Sequence, residues 1–178
     1  MDAIDSLSRR SMLMRAGCAL MLVAGGAQAV FTGIFQPEQV AGTPHWAWQW
    51  GLTYAVLVAA YILAERERRP GLTRRRIGML VAQSLAVLYL VWLYPSFLVT
   101  SMTVVVAWQI AWVASLRAAL LAGAALAGAL VAQKCVDQSG SMSVIVLLSA
   151  CGFQMFAISA AHLARSEAAA RDRLARTN

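Results

Sequence analysis

The stretch IGMLVAQSLAVLYLVWLYPSFLVTSMTVVVAWQIAWVAS, Ile77–Ser115, decides the fold. Its 39 residues include no Asp, Glu, Lys or Arg. As one helix it would be about 58 Å long at about 1.5 Å per residue, roughly twice the hydrocarbon core of a bilayer. It therefore has to turn. The turn belongs at LYPSF, because Pro95 disfavours helix at Tyr94 and Ser96 supplies turn chemistry. Residues 77–93 and 97–115 become two antiparallel spans.

Working outward, Leu116–Arg117 reads as a tight turn and residues 118–133 as the next span. The loop KCVDQSGS, Lys134–Ser141, precedes a last apolar run over 142–163. Upstream, 16–35 and 46–64 are apolar runs of spanning length, separated by QPEQVAGTP, Gln36–Pro44. The segment ERERRPGLTRRR, Glu65–Arg76, closes the second run. The expected fold is all-α: a polytopic membrane domain of six transmembrane helices over 16–163, preceded by a short segment, 1–15, and followed by a charged helix, 164–178.

Composition agrees with this reading. The chain has 178 residues, of which 60% are apolar and 13% charged, with a mean hydropathy of +0.64. A soluble domain has roughly 45–50% apolar and about 25% charged residues. The net charge of +7 does not point to nucleic acid, because the basic residues lie between apolar runs, where they set membrane orientation. With the N-terminus inside, every arginine falls on the cytoplasmic face: Arg9, Arg10, Arg15, the six in Arg66–Arg76, Arg117 and the four in Arg165–Arg176. Only Lys134 lies outside. The positive-inside rule thus places both termini in the cytoplasm. SRRSMLM, Ser8–Met14, followed by AQA, Ala27–Ala29, resembles a twin-arginine signal peptide. It lacks the usual Phe and Lys, Arg15 interrupts it, and the apolar run continues to full span length, so the first helix is expected to be retained.

Cys18, Cys135 and Cys151 fall at three different depths with no CxxC spacing, which argues against a zinc or thiol-exchange site. Cys135, in an outer loop, is the one cysteine placed to pair across a dimer or to meet oxidants. In HWAWQW, Trp46, Trp48 and Trp50 read as interfacial anchors, with His45 beside them as a candidate pH-sensing residue. Trp108 and Trp112 share a face of the fourth span.

Polar residues within the spans are uncharged: Gln83 and Ser84, then Thr100, Ser101, Thr103 and Gln109, then Ser149 and Gln154. Proton relays and ion-coupled transport use intramembrane charges, which this sequence lacks. Gln83, Gln109 and Gln154 are candidates for an interhelical hydrogen-bond cluster or a sensing pocket. No phosphate loop, HExxH or GxSxG occurs, so no catalytic residue, metal ligand or cofactor-binding residue is expected. In AALLAGAALAGALVA, Ala119, Gly123 and Ala127 recur at i, i+4 and i+8, as do Ala124, Gly128 and Ala132, giving the fifth helix two small faces for close packing.

Beyond Leu163 nothing stops the last helix. Glu167–Arg171 and Asp172–Arg176 are acid-before-base pairs at i,i+4 that support its continuation. Leu163, Ala170 and Leu174 lie on a thin heptad seam interrupted by Glu167. His162, Glu167, Arg171 and Leu174 are therefore the candidate signal-transmission residues.

The stretch GFQMFAISAAHLARSEAAARDRLARTN, Gly152–Asn178, together with VWLYPSFLVTSMTVVVAWQ, Val91–Gln109, resembles the membrane input region of bacterial two-component sensor histidine kinases, in the group with nitrate-sensing and lipid-fluidity-sensing kinases. The resemblance covers the six-span plan loosely and the last 27 residues most closely. It implies a homodimer in the lipid bilayer whose last helix leads into a dimerisation domain with a phosphoacceptor His, then an ATP-binding domain. ATP and Mg would belong to those domains, and a response regulator would be reached through them. His162 departs from the phosphoacceptor pattern, since Leu163 follows where the family has an acidic residue. A diguanylate cyclase sensor region has a similar Ala/Arg/Glu-rich helix. A second class also stays open: a small substrate-binding membrane subunit of a vitamin or metabolite importer has six short-looped helices but no use for the charged tail.

Overall fold

The computed structural model describes residues 16–28, 30–32, 46–66, 73–94, 96–136 and 144–177. Among the described residues every regular element is an α-helix, and there are no strands. The helices are α1, Ala16–Thr32 apart from residue 29, α2, Trp46–Arg66, α3, Arg74–Leu93, α4, Phe97–Val113, α5, Leu116–Val136, and α6, Val144–Thr177.

Local signals set the boundaries. Thr73 is extended and caps α3 by accepting a bond from the Arg76 amide at 3.1 Å. The helix therefore begins three residues before the expected span at 77, with Arg74, Arg75 and Arg76 in its first turn. Cations at a helix N-terminus oppose the macrodipole by up to about 1 kcal/mol, which the Thr73 cap offsets. Tyr94 ends α3, its amide bonding to the Leu90 carbonyl, and Ser96 starts α4 by accepting from the Val99 amide at 3.2 Å. The second turn lies earlier than expected. Ala114 is extended, and the Ser115 hydroxyl accepts from the Ala118 amide at 3.3 Å. A serine hydroxyl can cap a helix, whereas Leu and Arg cannot, so Leu116 and Arg117 form the first turn of α5 instead of the connection.

α4 is the centre of the bundle. Eleven of its 17 residues are buried, as expected for a helix apolar on every side. It packs most extensively along α6, with α3 and α5 beside it, while α2 lies on α3. α1 closes a further side: Gly25 faces the Met102 side chain, and the Tyr54 hydroxyl donates to the Leu22 carbonyl at 2.8 Å. The core is formed by Leu57, Val87, Leu90, Val99, Met102, Val106, Leu130 and Ile158, each almost fully enclosed.

The outside is as apolar as the core. Leu121 is 73% and Ile145 76% exposed, and Leu20, Leu85, Trp92, Leu148 and Phe156 also face outward. A water-soluble monomer does not present such a surface. Among the described residues, four helices are long and apolar enough to cross a bilayer: Trp46–Arg66, Arg74–Leu93, Leu116–Gln133 and Leu147–Ala175. Ala16–Thr32 and Phe97–Val113 are apolar but shorter. The chain is thus a helical membrane protein.

The two ends of the bundle differ in chemistry. One carries Arg66, Arg74, Arg75, Arg76, Arg117 and Arg165. The other carries Trp46, Trp50, Tyr54, Trp92 and Tyr94. The three tryptophans of the second helix do not act alike. Trp46 and Trp50, one helical turn apart, are buried, whereas Trp48 is 58% exposed. At 3.6 residues per turn a spacing of two reverses the face, so only Trp48 has the exposure of an interfacial anchor.

Candidate functional site

Two side-chain contacts fasten α6 to the central helix. The buried Gln154 donates from Nε2 to the Thr103 hydroxyl at 2.7 Å, and Thr103 in turn donates to the Thr100 carbonyl at 2.7 Å. Eleven residues further along, Arg165 reaches the C-terminal end of α4 and donates from Nη1 to the carbonyls of Ala111, at 3.1 Å, and Ala114. These belong to the group of terminal carbonyls that a helix cannot bond internally, and the negative end of its dipole favours the guanidinium. Gly123 of α5 closes the packing from the other side. A Cβ there would lie 2.7 Å from the Ile158 Cδ1, so α5 approaches α6 as closely as only small residues allow.

Near the arginine end, Ala64, Glu65, Arg76, Leu80, Gln109 and Trp112 line a small cleft between α2, α3 and α4. Gln109 donates from Nε2 to Glu65 at 3.3 Å, while its Oε1 has no partner. Gln83 is completely buried with neither amide atom hydrogen-bonded, and the Thr100 hydroxyl is likewise unmatched. Buried polar groups left this way cost about 1–3 kcal/mol each.

The three glutamines do not bond to one another. Gln154 uses Thr103, Gln109 uses Glu65, and Gln83 uses neither. They sit on different helices at different heights along α4, so an amide of ordinary reach meets the nearest α4 or α2 group instead of another glutamine. Of the small-residue positions, Ala119 and Gly123 are buried and Ala127 half-buried, whereas Ala124, Gly128 and Ala132 face outward, and nothing stands within 4 Å of a Cβ added at Gly128. One small face is used within the bundle and the other is not. Cys135 is exposed, and His45 lies outside the described residues. His162, Leu163, Ala170, Arg171 and Leu174 are exposed along the tail, and Glu167 is half-buried.

Sequence reasoning did not single out Arg165, Glu65 or the inward pair Trp46 and Trp50. Arg165 carries a usable signal, being the arginine nearest the end of the last apolar run and level with the end of α4 in an alternating hairpin plan. Nothing in α2 marks Trp46 and Trp50 as inward, because its opposite face is equally apolar. Comparison with protein-family models, curated proteins and solved structures gives no match for this chain.

Proposed function

We propose that this chain is the membrane input and signal-transmission region of a sensor histidine kinase in a two-component system of the bacterial inner membrane, with α6 as the transmitting element. The observation that carries the reading is α6 itself, one unbroken helix of 34 residues from Val144 to Thr177. At about 1.5 Å per residue it is about 51 Å long against a hydrocarbon core of about 30 Å. Twelve residues follow Arg165, the point level with the end of α4, and they carry the helix about 18 Å further. No other helix leaves the bundle in this way among the described residues.

The grips on α4 support the same reading. Thr103 and Arg165 fix α6 to the central helix at two heights, so a change in how α4 packs turns or shifts α6 as a rigid body. A stimulus needs only a few kcal/mol of differential affinity for two such packings. Six spans with both termini cytoplasmic fit the gathering of arginines at one end. α4, though short, is surrounded by other helices and needs little lipid contact of its own. In this reading two copies pair through the exposed seam of the tail, the catalytic domains and their ATP belong beyond α6, and the response regulator is reached through them.

The test joins a histidine kinase catalytic region after Asn178 and reads its autophosphorylation in membranes. Two glycines inserted between Ala164 and Glu167 break the helix and its phase, and are expected to uncouple the output from mutations in the bundle such as T103V. Output that still follows those mutations after the insertion would sink the rigid-transmission reading.

A further inference from the structure

We propose that the aromatic cluster of Trp46, Trp50, Tyr54 and Tyr94, where α1, α2 and the α3–α4 turn meet, binds an uncharged lipophilic molecule through a carbonyl oxygen. The first three are spaced i, i+4 and i+8 and form a ladder on one face of α2. Trp46 and Trp50 stack with centroids 6.3 Å apart and planes at 28°, and Trp50 and Tyr54 stack at 4.9 Å and 14°. Tyr94 meets Trp46 edge-on at 6.3 Å and 80°.

Among the described residues, the hydrogen bonds of this corner are complete except in one respect. The Tyr54 hydroxyl donates to the Leu22 carbonyl at 2.8 Å, the Tyr94 hydroxyl pairs with Thr32 at 3.0 Å, and Ser96 donates to Gln28 at 3.0 Å. The indole nitrogens of Trp46 and Trp50 have no partner, although these residues are only 7% and 5% exposed. Every hydroxyl in the cluster is matched and neither indole is. An indole N–H can only donate, so the missing partner is an acceptor. None of the residues named here is ionisable near neutral pH, and an apolar wall without a counter-charge disfavours an anion. A neutral carbonyl fits both conditions, and the ring faces suit an apolar or aromatic body attached to it.

Tyr54 lies so close over Gly26 that a Cβ there would be 2.7 Å from its hydroxyl oxygen, which pins α1 against α2 at the level of the ladder. The cluster sits at the end opposite the arginines, beside the outward-facing Trp48 and Trp92, where a ligand dissolved in the membrane or a lipid ester group would approach. The proposal is independent of the transmission reading, since the site can bind whether or not α6 carries a signal.

The experiment uses the full chain with ¹⁵N-labelled indoles in dodecyl maltoside micelles, titrated with benzophenone as the carbonyl probe and read by the six indole N–H resonances, assigned through single Trp→Phe variants. Trp46 and Trp50 are expected to move downfield saturably while Trp48 does not. W46F and W50F keep a stacking ring and remove one donor, so each is expected to weaken the apparent benzophenone affinity about fivefold to tenfold. A parallel pair of nanodiscs, one of diester and one of diether phosphatidylcholine, separates the two sources. Downfield Trp46 and Trp50 resonances in the diester lipid alone identify a lipid ester as the occupant. Equal resonances in the two lipids with a saturable response to benzophenone identify a free carbonyl compound. No saturable response and no difference between the lipids would overturn the proposal and leave the cluster as structural stacking. Should either variant fail to fold, the titration of the unaltered chain decides.

Discussion

The contact between Gln154 and Thr103 predicts an asymmetry between its two partners. Thr103 donates to the Thr100 carbonyl at 2.7 Å and accepts from Gln154 at 2.7 Å. In Q154L the threonine keeps its donor bond, and leucine replaces the amide at similar volume in an apolar surrounding. The loss is one interhelical bond, worth about 0.6 kcal/mol on average in membrane proteins, and much of it is returned by the apolar replacement. In T103V the shape is kept, but the Gln154 amide, 2% exposed, loses its acceptor, at a cost of about 1–3 kcal/mol. The double variant T103V/Q154L leaves no amide to satisfy and should return to within about 1 kcal/mol of the original. The expected order is therefore T103V least stable, with a coupling of about 1–2 kcal/mol between the sites. Equilibrium unfolding in mixed micelles of increasing dodecyl sulfate fraction measures all four corners of the cycle. A Q154L chain less stable than T103V, or a coupling near zero, would refute this hydrogen-bond assignment.

Three further outcomes follow from the packing. G123V should cost about 1–3 kcal/mol by driving α5 away from Ile158, whereas G128A, with open space around it, should be neutral or gain up to about 1 kcal/mol from helix propensity; the same micellar unfolding compares them. G26A should displace the Tyr54 ring and break its bond to the Leu22 carbonyl, seen as faster amide exchange along α1 with α5 and α6 unchanged. S96A removes both the cap on Val99 and the link to Gln28, so a loss of about 1 kcal/mol is expected, together with weaker protection of the first turn of α4.

The helical order could be read from the sequence because length alone forces it. An uncharged run of 39 residues must turn, and Pro95–Ser96 is the turn signal near its middle. The continuation of the last helix beyond Leu163 was equally legible, since no Gly or Pro follows Leu163 before Thr177. Facing was not legible. In water an apolar stripe marks the buried side, but in lipid the outer surface is as apolar as the core and the stripe disappears. Trp46 and Trp48 look alike in sequence, yet one is buried and the other exposed. For the same reason the polar spans named Gln83, Gln109 and Gln154 as residues of interest without revealing their partners. Those partners, Glu65 and Thr103, depend on helix rotation, which the sequence does not encode locally.

The grip of Arg165 on the end of α4 also bears on the order in which the protein is assembled. α4 leaves the ribosome some fifty residues before the arginine that covers its last carbonyls. Gln154, the donor to Thr103, is nearly as late. Until then the central helix holds a hydroxyl and a set of terminal carbonyls that no earlier helix bonds among the described residues. Chains release their N-terminal parts first, so α1 to α5 must wait as a partly polar, open bundle. Membrane insertase and quality-control proteases would therefore meet a nascent protein whose middle is finished last, and its closing piece is the same helix that leaves the bundle.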